Sequence, residues 1–126
     1  MVTATIGKDH YRTEILATNK IIVADEPEEV GGKNEGPSPG EFLLISLASC
    51  TAITLRMYAD RKKWEVDNIR VEVASERSEW KTTFTRHIYL DGGLTEEQRQ
   101  RLLEIANACP VHKVLSHPIE INTQLL

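Results

Sequence analysis

Two cysteines are the residues of this chain whose type allows redox chemistry. Cys50 lies in the most apolar segment, and Cys109 begins the tetrapeptide Cys-Pro-Val-His. Their separation of 59 residues fits neither a metal knuckle nor a disulfide framework. A thiol on a rigid helix, with a second thiol at a helix junction, is what a thiol peroxidase needs, since one sulfur attacks and the other resolves. The spacing by itself favours two buried structural cysteines, because free cysteine is among the most buried residue types.

The two thiols differ in their expected surroundings. Burial in mid-helix would leave Cys50 unreactive unless a cation reaches it, and the candidate cations are Lys8, Arg12, Arg56 and Arg86. Cys109 precedes Pro110 and so takes the N-cap of a short helix, where free N–H groups stabilise a thiolate. His112 could add a proton there, or is a half-exposed helix histidine without a role. Cys50, Cys109 and His112 have the side chains of a zinc site, but the sequence has no paired Cys-x-x-Cys spacing to support one.

The composition is that of an ordinary globular chain. It has 126 residues, 40% apolar and 27% charged, which predicts one domain over residues 1–126. The net charge of −4 and the lack of a basic run argue against nucleic-acid binding. The first residues lack the apolar core of a signal peptide, and the apolar run at residues 42–55 is too short to cross a bilayer. We therefore expect a cytoplasmic protein with no membrane contact.

Alternating apolar residues and turn signals predict an α+β chain of the order βββ-α-ββ-α-β. The predicted strands cover residues 2–6, 10–17, 20–25, 67–76, 82–90 and 119–125, and the helices cover about residues 39–62 and 96–108, with a short one at 110–115. Arg86 falls on the apolar side of its strand, which requires an anion nearby, more often a structural carboxylate than a substrate. The buried stripe of the second helix is predicted to be Leu102, Leu103, Ile105 and Ala106.

The long helix has a clear beginning. Ser38 can cap it, Pro39 fits its first position, and Glu41 completes an S-x-x-E capping box. The helix is apolar on nearly every side, which predicts burial on all sides. Because a chain of this length cannot bury such a helix alone, we expect a homodimer in which a second subunit covers part of it.

Two motifs carry a family resemblance. The run G-P-S-P-G-E-F-L-L leads to A-S-C within residues 36–50, and I-A-N-A-C-P-V-H-K-V-L occupies residues 105–115. With these motifs the chain resembles the OsmC/Ohr family of peroxide-reducing proteins over nearly its whole length. The run T-L-R-M-Y-A-D-R-K at residues 54–62 is similar to the small OsmC-like subgroup.

The resemblance implies a fold and a chemistry. The fold would be an intertwined homodimer whose long central helices are wrapped by antiparallel sheets, with active sites at the subunit interface. Cys50 would be the peroxidatic thiol and Cys109 the resolving thiol, and no cofactor or metal is implied. Organic hydroperoxides would be the substrates, and a lipoyl-type dithiol the reductant. An alkyl tail would lie against Leu44, Leu47 and Ile53.

The activating residues of the family match less directly. Relatives carry a carboxylate where this chain has Gly40, and the carboxylate here comes one residue later, at Glu41. They also carry an arginine where this chain has Lys8, and the nearest arginine is Arg12. Glu41 and Arg12 are therefore the expected activating pair.

Two other functions fit the same pattern. A hotdog-type thioesterase also wraps a sheet around a long helix, and would use a carboxylate such as Glu41 or Asp60 but neither cysteine. A non-catalytic dimer could instead bind a small apolar ligand or sense peroxide, being oxidised once without turning over. The thiol pair is common to the sensor and the peroxidase.

Overall fold

The computed structural model describes all 126 residues and divides the chain into two compact units, Met1–Leu43 and Leu44–Leu126. Five strands form two antiparallel sheets, and three α-helices and one short 3-10 turn accompany them, which is the predicted α+β class. The prediction of a single domain is not tested by this division and stays a prediction.

The first unit is built on a three-stranded antiparallel meander. Strands β1 (Val2–Ile6), β2 (Thr13–Ala17) and β3 (Lys20–Ala24) pair in chain order. Strand β2 begins later than predicted, because the N–H of Tyr11 is bound by the carboxylate of Asp25 at 3.1 Å instead of by a neighbouring strand.

Asp25 holds the loop that follows β3. Its side chain is 2% exposed, and its two carboxylate oxygens accept N–H bonds of 2.8–3.3 Å from four residues, Tyr11, Glu26, Lys33 and Glu35. Burial would raise the pKa of this carboxyl, but the N–H bonds outweigh burial and lower the pKa below its ordinary value. Gly36 approaches the same turn so closely that a Cβ would collide with the carbonyl oxygen of Val23.

The long helix α1 runs over Pro39–Lys62, as predicted. Its capping box is present, since Ser38 N–H donates to Glu41 Oε2 at 2.8 Å and Glu41 N–H donates to Ser38 Oγ at 3.3 Å. By length and composition alone this helix could cross a membrane, a test that core helices of soluble proteins also pass.

Within one chain α1 is buried on one side only, and its burial on the other sides by a second subunit stays a prediction. Its buried residues recur every fourth position and form a single stripe, Leu47, Thr51, Leu55 and Ala59. Other apolar residues of the helix remain 45–68% exposed, namely Leu43, Ile45, Ile53 and Met57. A helix surface is buried only where another element packs against it. Within one chain such elements lie along one side of α1.

The second unit packs a hairpin and a helix against that stripe. Strands β4 (Asn68–Arg77) and β5 (Thr82–Asp91) pair antiparallel, and helices α2 (Glu96–Ala106) and α3 (Pro110–Leu115) follow. The core consists of Leu55, Ala59, Val66, Leu102 and Ala106. Leu103 was predicted in the buried stripe but is 53% exposed, because a one-residue step along α2 turns it about 100° away from Leu102.

The predicted closing strand at residues 119–125 is not formed. Residues 118–126 have no regular secondary structure, and Ile121 is 83% exposed. A strand needs a neighbouring strand to satisfy its N–H and C=O groups, and no strand of this chain pairs with the segment. The alternating apolar pattern therefore remains without a partner within one chain.

Candidate functional site

Three elements of the second unit meet at the two thiols. Cys50 lies in the middle of α1, Cys109 is the N-cap of α3, and Arg86 projects from β5. Both cysteines are free; Cys50 is half-buried, and Cys109 has no exposed surface. The two thiols interact through a side-chain hydrogen bond, although 59 residues separate them in the sequence.

The negative charge of the pair belongs on Cys109. Burial alone would raise the pKa of Cys109, but the thiol of Cys50, the N–H groups of His112 and Val111, and the hydroxyl of Thr51 together lower it. Burial raises the pKa of Cys50, and the neighbouring charge of Cys109 raises it further. Because Cys109 stands at a helix N-terminus and Cys50 in mid-helix, N–H groups without a helical partner are available mainly to Cys109.

Arg86 is the cation that reaches this pair. Its Nη1 donates to Thr51 Oγ1 at 3.0 Å and to the carbonyl oxygen of Ala106 at 3.1 Å, and its Nη2 donates to Asn107 Oδ1 at 3.0 Å. Burial lowers the pKa of this guanidinium, and the charge of Cys109 opposes that effect. The structural carboxylate expected for Arg86 is absent: the arginine forms no salt bridge, and the group whose negative charge raises its pKa is Cys109.

A cavity of about 400 Å³ lies beside Arg86 and His112. Its apolar lining is Leu47, Phe84 and Leu115. Of the three side chains expected around an alkyl tail, only Leu47 lines this cavity. Burial lowers the pKa of His112, and the positive charge of Arg86 lowers it further, which favours the neutral imidazole.

Arg12 and Glu41, the expected activating pair, lie in the first unit and have partners there. Arg12 Nη1 lies 2.7 Å from Glu14 Oε1, and its Nε lies 3.5 Å from Glu35 Oε2. Glu41 serves the capping box of α1. Their role in activating Cys50 stays a prediction.

Other sequence candidates have different partners. Arg56 donates to the carbonyl oxygen of Val66 at 2.8 Å. Cys50, Cys109 and His112 do not form a group that could hold a metal ion. No role was predicted from the sequence for Thr51, which directly follows one motif, or for Asn107, which lies within the other. Their role depends on Arg86 contacting both of them across the fold.

Comparison with known protein families identifies the family of this chain. The sequence model of the family described as OsmC-like protein matches residues 32–124. No curated protein matches the sequence.

Solved structures have the same fold. An OsmC-like protein from Mycoplasma pneumoniae is 20% identical and superposes with a TM-score of 0.78, covering 91% of this chain and 85% of the other. A protein from Psychrobacter arcticus 273-4, whose name refers to osmotic stress and a detoxification response, is 26% identical with a TM-score of 0.76, covering 93% and 88%. An organic hydroperoxide resistance protein from Elizabethkingia anophelis is 20% identical with a TM-score of 0.68, covering 94% and 89%.

Proposed function

Since this chain belongs to the OsmC-like protein family, we propose that it is a thiol-dependent peroxidase that reduces organic hydroperoxides. The observation that carries the proposal is the interaction between the free thiols of Cys50 and Cys109. Two such thiols can store one oxidation step as a disulfide and release it to a reductant. The name of the Elizabethkingia relative supports the substrate class. The OsmC-like fold disfavours the hotdog thioesterase.

Cys50 is the attacking sulfur, because it is half-buried whereas Cys109 has no exposed surface. When the pair has lost one proton, Cys109 holds the charge and can accept the proton of the Cys50 thiol. Cys50 Sγ bonds to the outer oxygen of the hydroperoxide, the O–O bond breaks, and the alkoxide leaves and takes a proton from solvent. Cys50 is then a sulfenic acid, and the hydroperoxide has become an alcohol.

Cys109 completes the cycle. Its sulfur attacks the sulfenic sulfur of Cys50, which forms the disulfide and releases water. A lipoyl-type dithiol then reduces the disulfide by two exchange steps and is itself oxidised to a disulfide. The cavity lined by Leu47, Phe84 and Leu115 offers apolar surface for the organic group of the substrate.

The proposal includes a homodimer. The apolar side chains that α1 leaves exposed, among them Ile53 and Met57, support a second copy of the chain as their cover. An obligate interface of this kind is rich in apolar side chains. The expected mass in solution is therefore that of two chains, which sedimentation would test.

The experiment is a thiol count by intact mass. One equivalent of cumene hydroperoxide should remove two hydrogens per chain from the wild type, and Cys50→Ser should lose none. Cys109→Ser is the matched control, since it should stop at one added oxygen on Cys50. Two free thiols that survive excess hydroperoxide would contradict the proposal.

A second measurement separates the peroxidase from a sensor. With excess hydroperoxide and dihydrolipoamide, a peroxidase should consume many equivalents per chain, and Cys50→Ser should consume none beyond the background. Oxidation that stops after one equivalent, with reductant present, would favour the peroxide sensor.

A further inference from the structure

Arg86 combines three features that set it apart from the other arginines of the second unit. It is partly buried, it forms no salt bridge, and it contacts both α1 and the end of α2 through hydrogen bonds of 3.0–3.1 Å. A buried guanidinium without a carboxylate is costly unless another anion offsets its charge. The group whose charge opposes this cost is the Cys109 thiolate, which raises the pKa of Arg86.

Arg86 and Cys109 share two neighbours. The carbonyl oxygen of Ala106 accepts both Arg86 Nη1 at 3.1 Å and the N–H of Cys109 at 3.4 Å. The hydroxyl of Thr51, which accepts Arg86 Nη1, is also in hydrogen-bonding range of the Cys109 sulfur. The titratable or charged groups around Cys109 are Cys50 from α1, Arg86 from β5 and His112 from α3.

We infer, on the basis of the proposed peroxidase function, that Arg86 is a positioning residue that keeps the negative charge on Cys109 and so directs the reductant to Cys50. In an exchange reaction the sulfur that better carries the charge is the better leaving group. Exposure within one chain points the same way, because Cys50 is half-buried whereas Cys109 has no exposed surface.

The exchange step balances as follows. A thiolate of the reductant attacks Cys50 Sγ, the Cys50–Cys109 bond breaks, and its electron pair stays on Cys109 as a thiolate beside Arg86. The reductant is now joined to Cys50 in a mixed disulfide. Its second thiol attacks its own bound sulfur and releases Cys50, which takes up a proton. The reductant leaves oxidised by two electrons, and both cysteines are reduced.

A purely structural role for Arg86 is also conceivable, since it ties β5 to the end of α2. The two roles differ in one measurable property, the titration of Cys109. A structural tie affects stability, whereas a nearby positive charge lowers the pKa of the thiol by about one unit or more.

The first test titrates Cys109 in a Cys50→Ser background, followed by the ultraviolet absorbance of the thiolate. Adding Arg86→Gln should raise the Cys109 midpoint by about one pKa unit, which is a tenfold loss of thiolate at a given pH. Arg86→Lys keeps the positive charge and should leave the midpoint close to that of the arginine protein. Arg56→Gln is the matched control, since Arg56 also donates to a backbone carbonyl of this unit at 2.8 Å, and it should leave the midpoint unchanged.

An unchanged midpoint in folded Arg86→Gln would overturn the inference. If that variant does not fold, the Cys50→Ser protein decides by itself: a Cys109 midpoint at or above about 8.5, the ordinary value for a thiol, would overturn it as well.

The second test asks which sulfur is attacked. The disulfide is formed with diamide, so that it does not depend on peroxidase activity, and is then exposed briefly to 2-mercaptoethanol and quenched in acid. Peptide mapping should find the adduct on Cys50 in the wild type, and in Arg86→Gln the same adduct should form more slowly because Cys109 is then a poorer leaving group. An adduct mainly on Cys109 in the wild type would refute the inference. Absence of hydroperoxide turnover with the adduct on Cys50 would refute the proposed function alone.

Discussion

Thr51→Val removes one hydroxyl from the contact between α1 and Arg86 and keeps the shape of the side chain. Thr51 is unexposed, and its Oγ1 accepts Arg86 Nη1 at 3.0 Å and donates to the carbonyl oxygen of Leu47 at 2.7 Å. A hydrogen bond to a charged group contributes about 1.5–3 kcal/mol. Arg86 keeps its bonds to Ala106 and Asn107, so its charge is not left unpaired. We therefore expect the free energy of unfolding to fall by an amount near the lower end of this range, about 1.5–2 kcal/mol.

Urea titration followed by circular dichroism measures this loss. Ser49→Ala is the matched control, because Ser49 Oγ makes the same bond to the carbonyl four residues earlier, at 2.7 Å, but is exposed and contacts no arginine. The control should change stability by less than about 0.5 kcal/mol. Thr51→Val should also raise the pKa of Cys109, since the hydroxyl helps to lower it. A Thr51→Val protein as stable as the wild type, with an unchanged Cys109 titration, would refute the role given to this contact.

Three further predictions concern stability. Leu102→Ala should lower the free energy of unfolding by about 2–5 kcal/mol in a urea titration, because Leu102 is unexposed. Leu103→Ala is the control and should lower it far less, because Leu103 is 53% exposed. Equal losses would contradict the packing of α2. Asp25→Asn should destabilise the protein. The folded pKa of Asp25 lies below its ordinary value of 3.8, so the carboxylate contributes to the free energy of unfolding above pH 3.8. That contribution is lost as the pH falls through the folded pKa. The gap in melting temperature between wild type and Asp25→Asn should therefore narrow on acidification, and a constant gap would speak against it. Gly36→Ala should lower the melting temperature, because its Cβ would meet the Val23 carbonyl, and an unchanged value in a thermal scan would rule out that close approach.

The elements with local signals could be predicted from the sequence. Ser38, Pro39 and Glu41 define the beginning of α1 through groups within one turn of each other, and the helix begins where they predict. Pro110 defines the beginning of α3 in the same way, since proline lacks an N–H and fits the first position of a helix. Such signals need no information from the rest of the chain.

The features that depend on distant partners could not be predicted in the same way. The alternation at residues 119–125 is a strand pattern, but a strand forms only where another strand pairs with it. The apolar phase of Arg86 indicated that an anion must be close, and the sequence favoured a carboxylate. The group whose charge acts on Arg86 is instead Cys109, because β5 passes the end of α2, a tertiary arrangement that strand periodicity does not encode.

The asymmetry between the two thiols follows from their positions on helices. Cys50 lies in mid-helix, where the backbone N–H groups are already bonded within the helix, so it can gain little stabilisation as a thiolate. Cys109 stands at a helix beginning and beside a guanidinium that has no carboxylate, so the charge of the pair settles there. The half-buried thiol of Cys50 is thus the poorer anion, and the better anion, Cys109, has no exposed surface. In the proposed reaction this arrangement gives Cys109 two tasks, to accept the proton of Cys50 during attack and to leave as a thiolate during reduction, and both tasks depend on the same charge beside Arg86.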